Sequence, residues 1–292
     1  MQEIQIMIVG AQKSGTTSVL NYLAQHSKVT THSNHTEMSF FSKEDSKLGY
    51  FPYAYDKYFK SFDKSEDNVI IAKDAVLMYS EEGVERLFRH NANMHIVMVL
   101  RDPVKRAYSA YWYARSTGRE RAETFEIAIK QEREKTALNN HQWVDTKYID
   151  NSLYVKHIKN ILKHFPKEQL HVYTVNQLKK NNRVVIDEIL NLSKLKFEEN
   201  INLRVKYNEQ KVANSKLLFL YQQFFLLLSK IKKILGLRLT FKWFTRLKQF
   251  LIEKSRKNGE IPKINKDTEK ELYDFFKDYD DELMKLISKK ES

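Results

Sequence analysis

Gly10-Ala11-Gln12-Lys13-Ser14-Gly15-Thr16-Thr17 separates an apolar run (Ile4, Ile6, Ile8, Val9) from a helical pattern that opens with Val19, Leu20, Tyr22 and Leu23. A glycine loop between a strand and a helix is an anion cradle, because the first backbone N–H groups of the helix point outward and carry the positive end of its dipole. Gly10 and Gly15 keep the G-x4-G spacing of a Walker A loop. Thr16, however, stands where the lysine should follow the second glycine, and the lysine of the loop, Lys13, lies between the glycines. The loop keeps a phosphate cradle while turning away from nucleoside-triphosphate hydrolysis.

Further apolar segments alternate with helical patterns. Strands are expected at Ile4–Val9, Lys28–Thr31, Val69–Lys73, His95–Leu100 and Leu170–Tyr173. Helices are expected at about Thr17–Gln25, at Glu81–His90, from Pro103 with Asp102 as its N-cap, at Thr124–Lys135 and at Tyr154–Phe165. Strands separated by helices after a phosphate loop predict an α/β fold: a P-loop-like parallel β-sheet covered by helices on both faces, with a helical C-terminal half. No Pro/Gly/Ser-rich linker divides the 292 residues. One domain is therefore expected, with a nucleotide-binding core over 1–200, a basic helical insertion over 201–255 and a C-terminal loop and helix over 256–292.

The segment Leu100-Arg101-Asp102-Pro103-Val104-Lys105-Arg106-Ala107-Tyr108-Ser109-Ala110-Tyr111 follows the strand pattern ending at Leu100. Arg101 leaves the strand end and Ser109 falls about two turns along the helix, so both can reach one phosphate. Together, this segment and the first loop resemble the sulfotransferases that use 3′-phosphoadenosine-5′-phosphosulfate (PAPS). Gln12 to Thr17 is similar to their 5′-phosphosulfate loop, and R-D-P-x-x-R-x-x-S, beginning at Arg101, to their 3′-phosphate motif. The block Tyr154-x2-His157-x4-Leu162-x2-Phe165-Pro166-x-Glu168-Gln169-Leu170 resembles one common in carbohydrate sulfotransferases. After it, Val175-Asn176-Gln177-Leu178 replaces the Y-E-D-L of many relatives. Near the C-terminus, Lys257-Asn258-Gly259 loosely matches the basic loop that closes over PAPS, followed by an amphipathic helix carrying Leu272, Phe276 and Leu283. The resemblance covers most of 4–178 and 253–287.

The resemblance implies roles. PAPS is the co-substrate and 3′-phosphoadenosine-5′-phosphate (PAP) the product, with no metal. Lys13 meets the bridging oxygen of the leaving phosphate, while Gln12, Ser14, Thr16 and Thr17 hold the 5′-phosphate and Gly15 keeps the turn open. Arg101 and Ser109 hold the 3′-phosphate, and Lys257 and Gly259 belong to the closing loop. Thr36-Glu37-Met38-Ser39-Phe40-Phe41 resembles the K-E-x-H-F-F segment of heparan-sulfate-type and related bacterial enzymes, whose glutamate is the base, although Thr36 and Ser39 replace its lysine and histidine. Glu37 is thus the favoured base, beside the apolar Phe40 and Phe41. His32, His35 and His95 are the other candidates. Lys73 matches the lysine of an E-K-[ST]-P segment, with Asp74-Ala75 in place of the last two residues, and would hold sulfate or orient Glu37.

The net charge of +13 is local: residues 204–257 hold fourteen Lys/Arg and two acids. Apolar residues at helical spacing (Leu217, Leu220, Phe224, Leu228; Phe241, Phe244, Leu247, Leu251) alternate there with the lysines, giving two basic amphipathic helices over 214–252 divided by Gly236. Three readings stand open: helices packed on the core with a solvated basic face, a groove for an anionic glycan, or peripheral docking of 214–257 to an anionic membrane. No motif points to nucleic acid. Cysteine is absent, which excludes disulfides and cysteine-based zinc sites. No apolar stretch reaches the roughly 18 residues of a membrane span. A cytoplasmic location is expected. The acceptor, a carbohydrate or glycolipid, is not specified by these residues. A P-loop kinase of a small molecule and a non-catalytic polyanion- or membrane-binding protein are the alternatives.

Overall fold

A computed structural model of the chain describes residues 3–32, 37–42, 62, 68–134, 144–205, 212–213, 224, 250, 256–257 and 261–287. In chain order the elements are β1 (Ile6–Gly10), α1 (Thr16–Leu23), β2 (Val29–Thr31), β3 (Val69–Lys73), α2 (Glu81–His90), β4 (His95–Leu100), α3 (Pro103–Ser116) and α4 (Phe125–Glu134). There follow α5 (Tyr154–Leu162), β5 (Leu170–Thr174), α6 (Val175–Asn191), β6 (Val212–Ala213), β7 (Arg256–Lys257) and α7 (Lys266–Ile287). The basic helices expected over 214–252, together with His35 and Gly259, lie outside the described residues, apart from Phe224 and Phe250.

Two compact units are present, one formed by 1–102, 153–208 and 277–292, the other by 103–152 and 209–276. The first contains a five-stranded sheet in the order β2-β3-β1-β4-β5, parallel throughout. Its strands are apolar nearly end to end because both faces are covered. Ile6, Ile8, Ile71, Val97 and Val99 point to one face, where they pack with Val19, Leu20 and Leu23 of α1 and with Ile186, Ile189 and Leu190 of α6. Met7, Val9, Ile70, Ala72, Ile96 and Met98 alternate to the other face, against Val84 and Leu87 of α2, Val155, Ile158 and Ile161 of α5, and Leu283. Each such side chain contributes about 1.5–3 kcal/mol on full burial, so the two layers fix the sheet's register and leave its ends free for chemistry.

Two expectations are corrected. Ile4 is buried but precedes β1: its N–H donates to His90 Nε2 at 3.0 Å and its carbonyl accepts from Asn91 Nδ2 at 2.9 Å, so side chains rather than a neighbouring strand hold it. A helix was not expected after β5. There, Thr174 accepts from the Gln177 N–H and the Gln177 side chain returns to the Thr174 N–H, a capping box that starts α6. The polar stretch before Val185 and the non-helical Asn181 hide its period.

The second unit centres on α3 and α4. Tyr111 (1% exposed), Phe125 and Tyr148 form an edge-packed aromatic cluster. Tyr148 Oη donates to Glu120 at 2.7 Å. Val212 and Ala213 pair antiparallel with Lys257 and Arg256.

Candidate active site

Three adjacent strands of the first unit end at one edge of the sheet, and each delivers a candidate residue there. Lys73 closes β3, Gly10 opens the loop after β1, and Arg101 follows β4. The chain adds strands on one side of β1 and then crosses to the other, which makes this edge the switch point where open α/β sheets bind ligands.

At the loop, Ala11 N–H donates to the Val99 carbonyl at 2.8 Å, and Ser14 N–H turns back to that of Ala11 at 3.2 Å. Lys13 (φ 71°) and Gly15 (φ 87°) both adopt the left-handed conformation. Gly15 caps α1 with no side-chain hydrogen bond, and no acid occupies the first turn. The outward N–H groups there meet no competing carboxylate from the helix itself. Ser14 is 1% exposed, and its Oγ, like Gln12 Oε1, has no hydrogen-bond partner among the described residues. Buried polar atoms of this kind ask for a partner, and a phosphate oxygen supplies one for a hydroxyl donor. The loop therefore fits the 5′-phosphate end of the expected nucleotide. Gly10 is needed for close approach, because a Cβ there would lie 2.1 Å from Met78 Sδ.

Lys73 is 2% exposed. Its Nζ donates to the carboxylate of Glu37 and, at 3.3 Å, to Thr17 Oγ1. The other Glu37 oxygen accepts from the Ala75 N–H at 2.8 Å, and Met38 N–H donates to the Lys73 carbonyl at 2.7 Å. Glu37 is thus latched to the end of β3 while 46% of its side chain stays exposed. A lysine buried beneath a carboxylate open to solvent can hold it in place for a substrate arriving from outside.

In the sequence Asp74 stands out only as a departure from E-K-[ST]-P. It is fully buried; Oδ1 accepts from the Val76 N–H at 3.3 Å, and Oδ2 has no hydrogen-bond partner among the described residues. Burial first, and then the Glu37 carboxylate, push its pKa up to about 6 against the pull of Ser42, the Val76 N–H and Lys73. Two carboxyl groups therefore crowd one lysine.

Arg101 Nη1 donates to the Lys13 carbonyl at 3.2 Å, so the guanidinium lies against the loop. The structure brings together Gln12, Lys13, Ser14, Gly15, Thr16, Thr17, Glu37, Lys73 and Arg101. Ser109 (8% exposed, on α3) and Lys257 (in β7) belong to the second unit. Of the alternative bases, the His32 ring packs edge-on against Phe62 at 5.7 Å. His95 opens β4, at the sheet edge opposite the loop, with Nδ1 3.1 Å from His171 Nε2.

Arg106, the second arginine of R-D-P-x-x-R-x-x-S, was given no role by the sequence. It is fully buried, donating from Nε to Ser152 Oγ at 2.7 Å and from Nη2 to the Tyr148 carbonyl at 2.5 Å. Glu132 gathers the N–H groups of Tyr148, Ile149 and Asp150 at 2.7, 2.9 and 3.0 Å from the same turn. Burial raises the Glu132 pKa against these three donors. Arg106 thus shapes the turn at 147–152. Spacing alone could not separate it from a phosphate ligand.

Among the described residues, no group of three or more His, Cys, Asp or Glu is placed to hold a metal, and no helix is long and apolar enough to cross a membrane.

Comparison with known proteins adds the family. Residues 3–217 match the model of the sulfotransferase domain. "Heparan sulfate glucosamine 3-O-sulfotransferase 5" of Mus musculus is 30% identical over 176 residues, covering 59% of this chain and 48% of that protein. "Bifunctional heparan sulfate N-deacetylase/N-sulfotransferase 1" of Caenorhabditis briggsae is 24% identical over 209 residues, 67% of this chain and 23% of that protein. The chain spans about half the length, or less, of these curated relatives. A sulfotransferase from Alicyclobacillus acidocaldarius shares the fold, with a TM-score of 0.60 at 20% identity, covering 82% of this chain and 98% of that one. With the domain model matched across the phosphate loop, the β3 lysine and the arginine after β4, this chain belongs to the PAPS-dependent sulfotransferase family.

Proposed function

We propose that the chain transfers a sulfuryl group from PAPS to a hydroxyl or amino group of a carbohydrate or glycolipid acceptor. The observation that carries this reading is the position of Lys73. One buried ammonium joins Thr17, in the first turn behind the anion loop, to Glu37, so a carboxylate base stands within one side chain of the donor cradle.

Bound there, the donor supplies an activated sulfuryl group on a phosphate leaving group. The loop N–H groups and the Ser14, Thr16 and Thr17 hydroxyls hold the 5′-phosphate. Arg101 takes the 3′-phosphate, the group that distinguishes this nucleotide from ATP. Lys13 neutralises the negative charge that grows on the bridging oxygen as its bond to sulfur breaks. Glu37 accepts the proton from the acceptor as the new bond to sulfur forms, and Lys73 holds Glu37 in place. The relatives' names include heparan sulfate, which supports an amino-sugar polymer as the class of acceptor to test first. The basic segment 214–257 would then meet an anionic glycan, or an anionic membrane that presents a glycolipid. Cytoplasmic placement is part of the same proposal.

Thermal shift with PAP, ADP and ATP tests the donor: PAP should stabilise the fold and ATP should not. A preference for ATP would favour a kinase. Labelled PAPS with a panel of glycans tests the acceptor. Binding of heparin or anionic vesicles without any transfer would favour a non-catalytic polyanion-binding protein.

A further inference from the structure

Tyr154 and His157 are three residues apart on α5, on one face of that helix, and are buried at 3% and 4% exposure. Tyr154 Oη donates to the Arg101 carbonyl at 2.8 Å, and Arg101 Nη1 in turn donates to the Lys13 carbonyl at 3.2 Å. The His157 ring meets Tyr79 edge-on, with centroids 4.8 Å apart, and Tyr79 Oη accepts the Gln12 N–H at 3.3 Å. Two lines of contact leave one helix face and arrive at adjacent residues of the anion loop.

We infer that α5 positions both phosphate-binding elements at once, Tyr154 acting through Arg101 on the 3′ end and His157 through Tyr79 on the 5′ loop. The inference rests on the donor reading above. A phenylalanine at position 154 would fill the same space within the core. What the hydroxyl adds is a fixed direction for the carbonyl of Arg101, and therefore for the peptide from which the guanidinium departs. That peptide leads into Asp102, whose backbone is already restricted by Pro103. Tyr79 does the equivalent for the loop: its oxygen receives an N–H that would otherwise need water, one residue before the left-handed Lys13. Both tyrosines are positioning residues, since each acts through another residue, Tyr154 through Arg101 and Tyr79 through Gln12.

The test compares PAP with AMP, which keeps the 5′-phosphate and lacks the 3′-phosphate, by calorimetric titration of the full chain. Removing one neutral hydrogen bond is worth about a five- to tenfold change in affinity. Tyr154→Phe should weaken PAP by that factor while leaving AMP within about twofold. Tyr79→Phe, and His157→Leu on α5, should each weaken PAP and AMP alike, and an unchanged His157→Leu would remove α5 from the 5′ line of contact. In an Arg101→Ala background, Tyr154→Phe should cause no further loss, because its effect passes through Arg101. The inference is overturned if Tyr154→Phe binds PAP as the wild type does, if it weakens both ligands equally, or if Tyr79→Phe changes neither. Should one variant fail to fold, the other still decides its own line of contact. A wild-type protein that binds no PAP would remove the donor reading and this inference with it; wild-type binding with unaffected variants would remove this inference alone.

Discussion

The Lys73 ammonium bridges the Glu37 carboxylate and the Thr17 hydroxyl, tying the residue just before Met38 to the first turn of α1. Removing either member of that bridge should separate binding from chemistry. Glu37→Gln is expected to lower transfer from labelled PAPS by about two to four powers of ten while PAP affinity stays as in the wild type. Undiminished transfer would make His32 or His35 the base instead.

Lys73→Met leaves Glu37 held, among the described residues, by the Ala75 N–H and should lower turnover with a smaller change in PAP affinity. Because Glu37 is partly solvated, its loss of a partner costs less than the breaking of a fully buried pair, about 1–2 kcal/mol by denaturant titration. Full activity in this variant would show that Glu37 needs no anchor.

Lys13→Ala should reduce the chemical step by about 100- to 1000-fold, the scale seen when one donor to a developing oxyanion is removed. PAP should still bind measurably through the loop N–H groups and Arg101. Single-turnover measurements would check this, and retained turnover would contradict the role given to Lys13.

Gly10→Ala should destabilise the fold by about 1–3 kcal/mol, since the new methyl would overlap Met78 Sδ. Met78→Ala in the same chain should recover part of that loss. No recovery would place the strain in the Gly10 backbone instead.

Two strongly shifted groups, Asp74 and His90, act on stability with opposite sign as pH changes. Asp74 is raised from 3.8 to about 6, so between those values the folded protein holds a proton that the unfolded chain has released. Stability therefore falls as pH rises through that window. His90 is lowered by burial from 6.5 to about 4, and here stability is lost as pH falls through the window. Asp74→Asn should stabilise the protein by about 3 kcal/mol at pH 7.5 and by almost nothing near pH 3, below both pKa values. An equal gain at both values would show that the buried charge is not the cause.

Much of the first unit was legible because its signals are local. Val69–Lys73, Glu81–His90 and His95–Leu100 were read with the boundaries observed, since continuous apolar runs and a 3.6-residue period register burial directly. Helix α6 was missed because its start depends on a side-chain box at Thr174 and Gln177, and its buried residues begin only at Val185. Motif spacing could name Arg101 and Arg106 together but could not tell them apart. One lies against the loop at Lys13 and the other is consumed by the carbonyl of Tyr148 and the hydroxyl of Ser152.

The chain's order of residues determined the anion loop, the apolar strands and the family, because each is written in contiguous residues. Only the tertiary structure decided that Lys73 lies beneath Glu37, that Asp74 is sealed in beside them, and that Tyr154 reaches the carbonyl of Arg101. Those pairings join residues from separate strands and helices, and their distances are set by the packing of the two sheet faces, which no single stretch of sequence specifies.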